Sequence, residues 1–169
     1  MRTAALLALL LVSAGLASAT RAEDWPGWRG PRGDGTSLET SLPTTWSDAE
    51  NVVWKVPIPG TGHSSPVVLG DRVFLTTALE DKQTRVLLCL DRRDGGNLWE
   101  ADVLSAPLEG KHQLNSYASS TPATDGERVF VSFLEQPKIQ LVCYDLDGKE
   151  VWRKSPGTFS SIHGFCSSL

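Results

Sequence analysis

Residues 87–99 read LLCLDRRDGGNLW and residues 141–152 read LVCYDLDGKEVW. An apolar run, an Asp, a Gly-containing turn and a Trp-bearing run therefore occur twice. Cys89 to Cys143 and Asp91 to Asp145 each span 54 residues, and Trp99 to Trp152 spans 53. Self-similarity at such a period names a repeat architecture before any single side chain is interpreted. Each unit of such a fold buries its apolar faces against its neighbours, so a pattern required once per unit is first a packing requirement.

The segments around each copy predict a four-stranded antiparallel meander. In the first, residues 62–68 form a short strand closed by Leu69, Gly70 and Asp71, and residues 72–77, rich in β-branched and aromatic side chains, form the second. Residues 85–91 return as the third strand, Gly95 and Gly96 make positive φ available in the turn, and residues 97–103 form the fourth. The second unit repeats the order at residues 120–124, 128–133, 139–145 and 150–154. Pro66 to Pro122 and Phe74 to Phe130 both span 56 residues, which keeps the inner strands in step. Against a common blade of about 45 residues, the extra length falls in residues 105–119, a polar excursion of the kind that carries function.

Ahead of the repeats, residues 24–35 are dense in Gly and Pro, and we expect an irregular strap across the outside of the domain with Trp25 and Trp28 in surface grooves. Residues 51–56 predict an outer strand, because Val53, Trp54 and Lys55 echo Val151, Trp152 and Arg153. Residues 162–169 look like the opening of a third unit. A closed propeller needs at least about four blades, so we expect the N-terminal part of a longer chain. The expected organisation is a signal peptide at 1–22, a strap and outer strand at 23–60, blades at 61–110 and 111–158, and the start of a further blade at 159–169.

Arg2, the apolar run 4–16 and the small residues Ala17, Ser18 and Ala19 form a secretory signal pattern, with cleavage expected after Ala19 or Ala22. The run is shorter than the roughly 20 residues a membrane helix needs, and no later stretch is longer. We therefore expect an exported protein, periplasmic or extracellular, without a membrane span. Net charge is −4 with no Lys/Arg cluster, which disfavours nucleic acid as a partner. Cys89, Cys143 and Cys166 are an odd number for an exported chain. Cys89 and Cys143 occupy equivalent positions on neighbouring sheets, which places them beyond bridging distance, and buried free thiols are expected.

The two copies resemble the tryptophan-docking repeat Ala-x-Asp-x-x-Thr-Gly-Lys-x-x-Trp of the quinoprotein-like, or PQQ-like, propeller family. That family includes PQQ-dependent alcohol dehydrogenases and the non-catalytic BamB-type propeller of outer-membrane barrel assembly. The opening residues 25–35, with 53–55 and 62–68, are similar to exported PQQ-like repeat proteins of planctomycete-type bacteria. The resemblance implies an all-β propeller of four-stranded antiparallel blades, seven or eight when intact and about two here. It makes Asp91, Gly96, Trp99, Asp145, Gly148 and Trp152 the structural docking motif. By the same resemblance PQQ with calcium is a possible cofactor, yet the chain has no adjacent cysteines and no carboxylate cluster with calcium-loop spacing. No catalytic residue or metal ligand is assigned. His63, His112 and His163 each fall shortly before an innermost strand and are candidate ligand contacts at the edge of the central funnel, with loop histidines bonded to backbone as the plainer alternative. The expected function is a non-catalytic binding or scaffold module for a protein or small ligand. The alternatives are the N-terminal part of a PQQ-dependent dehydrogenase, or a carbohydrate or cell-surface module using Trp25 and Trp28.

Overall fold

A computed structural model describes residues 22–169. The signal pattern, apart from Ala22, lies outside the described residues. The chain forms two four-stranded antiparallel sheets, each a meander in sequence order. The first contains β1 (Val67–Leu69), β2 (Arg72–Leu79), β3 (Thr84–Asp91) and β4 (Asn97–Ser105). The second contains β5 (Ala123–Thr124), β6 (Arg128–Glu135), β7 (Lys138–Asp145) and β8 (Glu150–Lys154). A single 3-10 turn, Glu80–Lys82, is the one helical element among the described residues. The fold is all-β, and its two sheets are consecutive propeller blades.

Burial follows from position in the blade. Every residue of β3 is buried, as its nearly continuous apolar run requires, whereas β4 is exposed along most of its length. The core runs through both sheets: Phe74, Leu87 and Cys89 of the first join Val129, Val131, Phe133 and Tyr144 of the second in one cluster. Neither blade has a separate core, which is the packing expected when repeats bury their faces on one another.

The register explains the repeated motif. Phe74 pairs with Cys89, and Cys89 with Trp99, across three strands. Phe130, Cys143 and Trp152 repeat the row. In both rows the outer rings tilt toward each other over the small central residue, with centroids 5.9 and 6.0 Å apart. A β-bulge follows each Cys, leaving Leu98 and Val151 as extra residues on the outer strands. Bulges bend a strand and re-aim its side chains. Cys89 and Cys143 are free and buried as expected, and burial pushes the Cys89 thiol up to about 12. Cys166 is free and exposed.

Two expectations about the N-terminal segment change. Residues 51–56 run without a sheet partner among the described residues, because a strand exists only where a ladder can form. The strap lies on the surface along residues 31–50, but its start is paired with the blades. Trp25 exchanges backbone hydrogen bonds with Val68 at 2.8 and 2.9 Å, and the Thr124 N–H donates to the Pro26 carbonyl at 2.8 Å. Residues 24–26 thus run along the innermost strands of both blades and cover edges that would otherwise present unpaired groups.

Candidate functional site

The turn after each Asp is built by that carboxylate. Asp91 Oδ1 accepts from the Arg93 backbone N–H at 2.8 Å and from Arg93 Nε at 3.0 Å. Asp145 Oδ1 accepts from the backbone N–H groups of Asp147 and Lys149 at 3.0 and 2.9 Å. The Arg93 guanidinium, then its backbone N–H, hold the Asp91 carboxyl down at about 2. These carboxylates are committed to their own turns.

Trp99 reaches out of the first blade to the second. Its Nε1 donates to the Leu146 carbonyl at 2.9 Å, and its ring lies over Gly148, where an added Cβ would come within 2.7 Å of it. Gly148 also has φ +85°, a conformation that L side chains rarely adopt. One further instance of this contact escaped the sequence reading, although the Val-Trp-Lys echo pointed toward it. Trp54 Nε1 donates to the Arg92 carbonyl at 2.8 Å and its ring lies over Gly95, which has φ +74°. Arg92 and Leu146 both follow the motif Asp, so the two contacts are equivalent. The glycine beneath the ring in the first blade is therefore Gly95, and the expected Gly96 is displaced from that role. The first turn is one residue longer, and Gly96 instead donates its N–H to Asp94 Oδ1 at 2.8 Å. Trp152 remains half-buried against Phe130 on the far face of the second blade.

The three histidines divide into a pair and a single residue. His112 and His163 approach with ring centroids 5.9 Å apart, and the Asn115 side chain donates to the His163 carbonyl at 2.7 Å. His112 Nδ1 accepts from the Leu114 N–H at 3.2 Å, so the plainer reading, a loop histidine bonded to backbone, describes this residue. That bond leaves the proton of the neutral ring on Nε2, an arrangement unsuited to metal ligation through either nitrogen without breaking the contact. His63 lies elsewhere, beside Ser65, Ser119 and Thr121 in a cleft of about 400 Å³ that also includes Trp28.

The excursion 105–119 is held from inside. Arg85, fully buried, forms an ion pair with buried Glu109, and its Nη1 donates to the Ala106 carbonyl at 2.6 Å. Arg85 and Lys111 both stand over the Tyr117 ring, at 5.7 and 4.8 Å. This anchor was missed because nothing in the sequence pairs an Arg within an apolar strand to a Glu 24 residues away.

No group of three or more His, Cys, Asp or Glu side chains among the described residues could hold a metal ion, and Cys89, Cys143 and Cys166 lie in three different repeats.

Two consecutive antiparallel blades, joined by a Trp laid over a turn glycine, define a propeller-repeat protein. Residues 82–162 match the family described as Outer membrane protein assembly factor BamB, and the repeats of this chain are similar to those of that PQQ-like, BamB-like repeat family. No curated protein matches the chain. Among solved structures it is similar to BamB from Moraxella catarrhalis, at 17% identity and a TM-score of 0.47, over 69% of this chain and 31% of that one. The chain thus spans less than a third of that structure's length. No helix among the described residues is long and apolar enough to cross a membrane.

Proposed function

We propose that the protein is an exported, non-catalytic propeller module that binds a protein or small ligand through the loops and cleft at one end of its blades. The observation that carries this reading is the use of the repeated motif: Asp91 and Asp145 build turns, and Trp99 joins blade to blade. Residues that could have been mistaken for an active centre are occupied in packing, and fold alone assigns no activity. Polar side chains outside the repeated motif line the cleft beside His63. The BamB description of the matching family agrees with a binding role, and the signal pattern at residues 1–22 with export.

Two measurements test the reading. The N-terminus of the protein recovered from its native compartment should begin at residue 20 or 23, read by mass spectrometry; an intact Met1 contradicts export. The chain supplied with PQQ and calcium should reduce no dye with primary alcohols as donors, and PQQ-dependent dye reduction contradicts the non-catalytic reading.

A further inference from the structure

Hydroxyl groups link the repeats along their innermost segments. The Ser65 N–H donates to Thr121 Oγ1 at 3.0 Å, and the Thr121 N–H donates to Ser168 Oγ at 3.2 Å. Two further hydroxyl bonds cross between the units: Thr76 Oγ1 donates to the Ser120 carbonyl at 3.2 Å, and Ser120 Oγ donates to the Ser167 carbonyl at 2.6 Å. The two N–H to hydroxyl bonds identify Ser65, Thr121 and Ser168 as the same position in three successive units. The residues two places before them, His63, Ser119 and Cys166, are then also equivalent. Both sets line the cleft of about 400 Å³, joined by Trp28 of the strap. The cleft is thus a place where one geometric position recurs around an axis. Its chemistry changes from His to Ser to Cys at one level and stays hydroxyl at the other.

We propose that this cleft binds a neutral carbohydrate, with Trp28 stacking on a sugar ring and the hydroxyls of Ser65, Thr121 and Ser168 bonding its hydroxyl groups. The assignment rests on the reading of the protein as a binding module and names the ligand class. No carboxylate, Lys or Arg lines the cleft, and the Arg29 guanidinium beside it is engaged on the Trp28 ring. Thr121 and Ser168 accept the inter-repeat bonds and retain their own protons as donors, and the Ser65 hydroxyl has no protein partner among the described residues. Groups that both donate and accept suit vicinal sugar hydroxyls. Trp28 is 53% exposed, which is unusual for so large an apolar side chain in a pinned segment. It is held in place by the strap's bonds to β1 and β5, whereas Trp25 is used against Gly30. Arg29 covers one face of the Trp28 ring at 4.9 Å, leaving the other for a ligand. The cleft volume falls within the range of small-molecule sites, about 300–1,000 Å³.

The test titrates the full chain with cellotetraose, maltotetraose and chitotetraose, following tryptophan fluorescence and heat of binding. At least one sugar should bind saturably with Kd between about 1 μM and 1 mM. Trp28→Ala should abolish the signal, and Ser65→Ala should weaken binding about tenfold. The thermal transition of Ser65→Ala should match the parent, since that hydroxyl holds nothing in the protein. Absence of saturation up to about 10 mM of every sugar overturns the site and leaves the non-catalytic reading standing. Equal affinity in both variants, or binding of inorganic phosphate in place of sugar, also overturns the site. Release of new reducing ends from a bound sugar supports the site and overturns the non-catalytic reading.

Discussion

At the scale of the residue, the repeated Cys and Asp are explained by what stands on either side of them. Cys89 lies between Phe74 and Trp99 in the cross-strand row, and its small side chain lets the two rings meet at 5.9 Å. Asp91 is an acceptor for its own turn, and its carboxyl is held at about 2, below the ordinary 3.8, first by hydrogen bonds from Arg93. A depressed folded-state value means the unfolded chain binds the proton more tightly. The contribution is then present above about pH 4 and is lost as pH falls toward 2. Urea unfolding of the parent and of Asp91→Asn should show separated midpoints at pH 6 that converge by about pH 2. A separation that persists at pH 2 contradicts this account of the carboxylate.

At the scale of the element, the strands were legible in the sequence because periodicity and turn residues act locally. The expected third and fourth strands of the first blade, residues 85–91 and 97–103, differ from β3 and β4 by at most two residues at an end. The strap and the excursion were less legible, because their partners are distant. Residues 24–26 pair with β1 and β5, edges that become adjacent when two blades assemble. Residues 105–119 are fixed by Arg85, which the sequence shows merely as a charge in an apolar run. Removing one partner of a buried ion pair leaves the other charge uncompensated. Glu109→Ala should therefore cost about 3–5 kcal/mol in chemical denaturation, with the largest gain in amide exchange at residues 105–119. A loss within about 0.5 kcal/mol would show that the pair does not anchor the loop.

At the scale of the molecule, the repeat period was enough to read the architecture, and the candidate site was only partly visible. The sequence singled out His63, His112 and His163 together, yet the fold pairs two of them and puts the third in the cleft. Equivalence between His63, Ser119 and Cys166 could not be read from identity, since the three side chains differ; the backbone bonds that align them supply it. Conversely, the most conspicuous motif in the chain is structural because its Trp leaves its own blade. A double-mutant cycle on Trp99→Ala and Gly148→Ala tests that claim directly. Each single change should destabilise the chain. Once the ring is gone, the added methyl at residue 148 no longer meets it, so the two costs should fall short of additivity by about 1–3 kcal/mol. Additivity within about 0.3 kcal/mol would mean that Trp99 and Gly148 do not couple the blades, and would contradict the account.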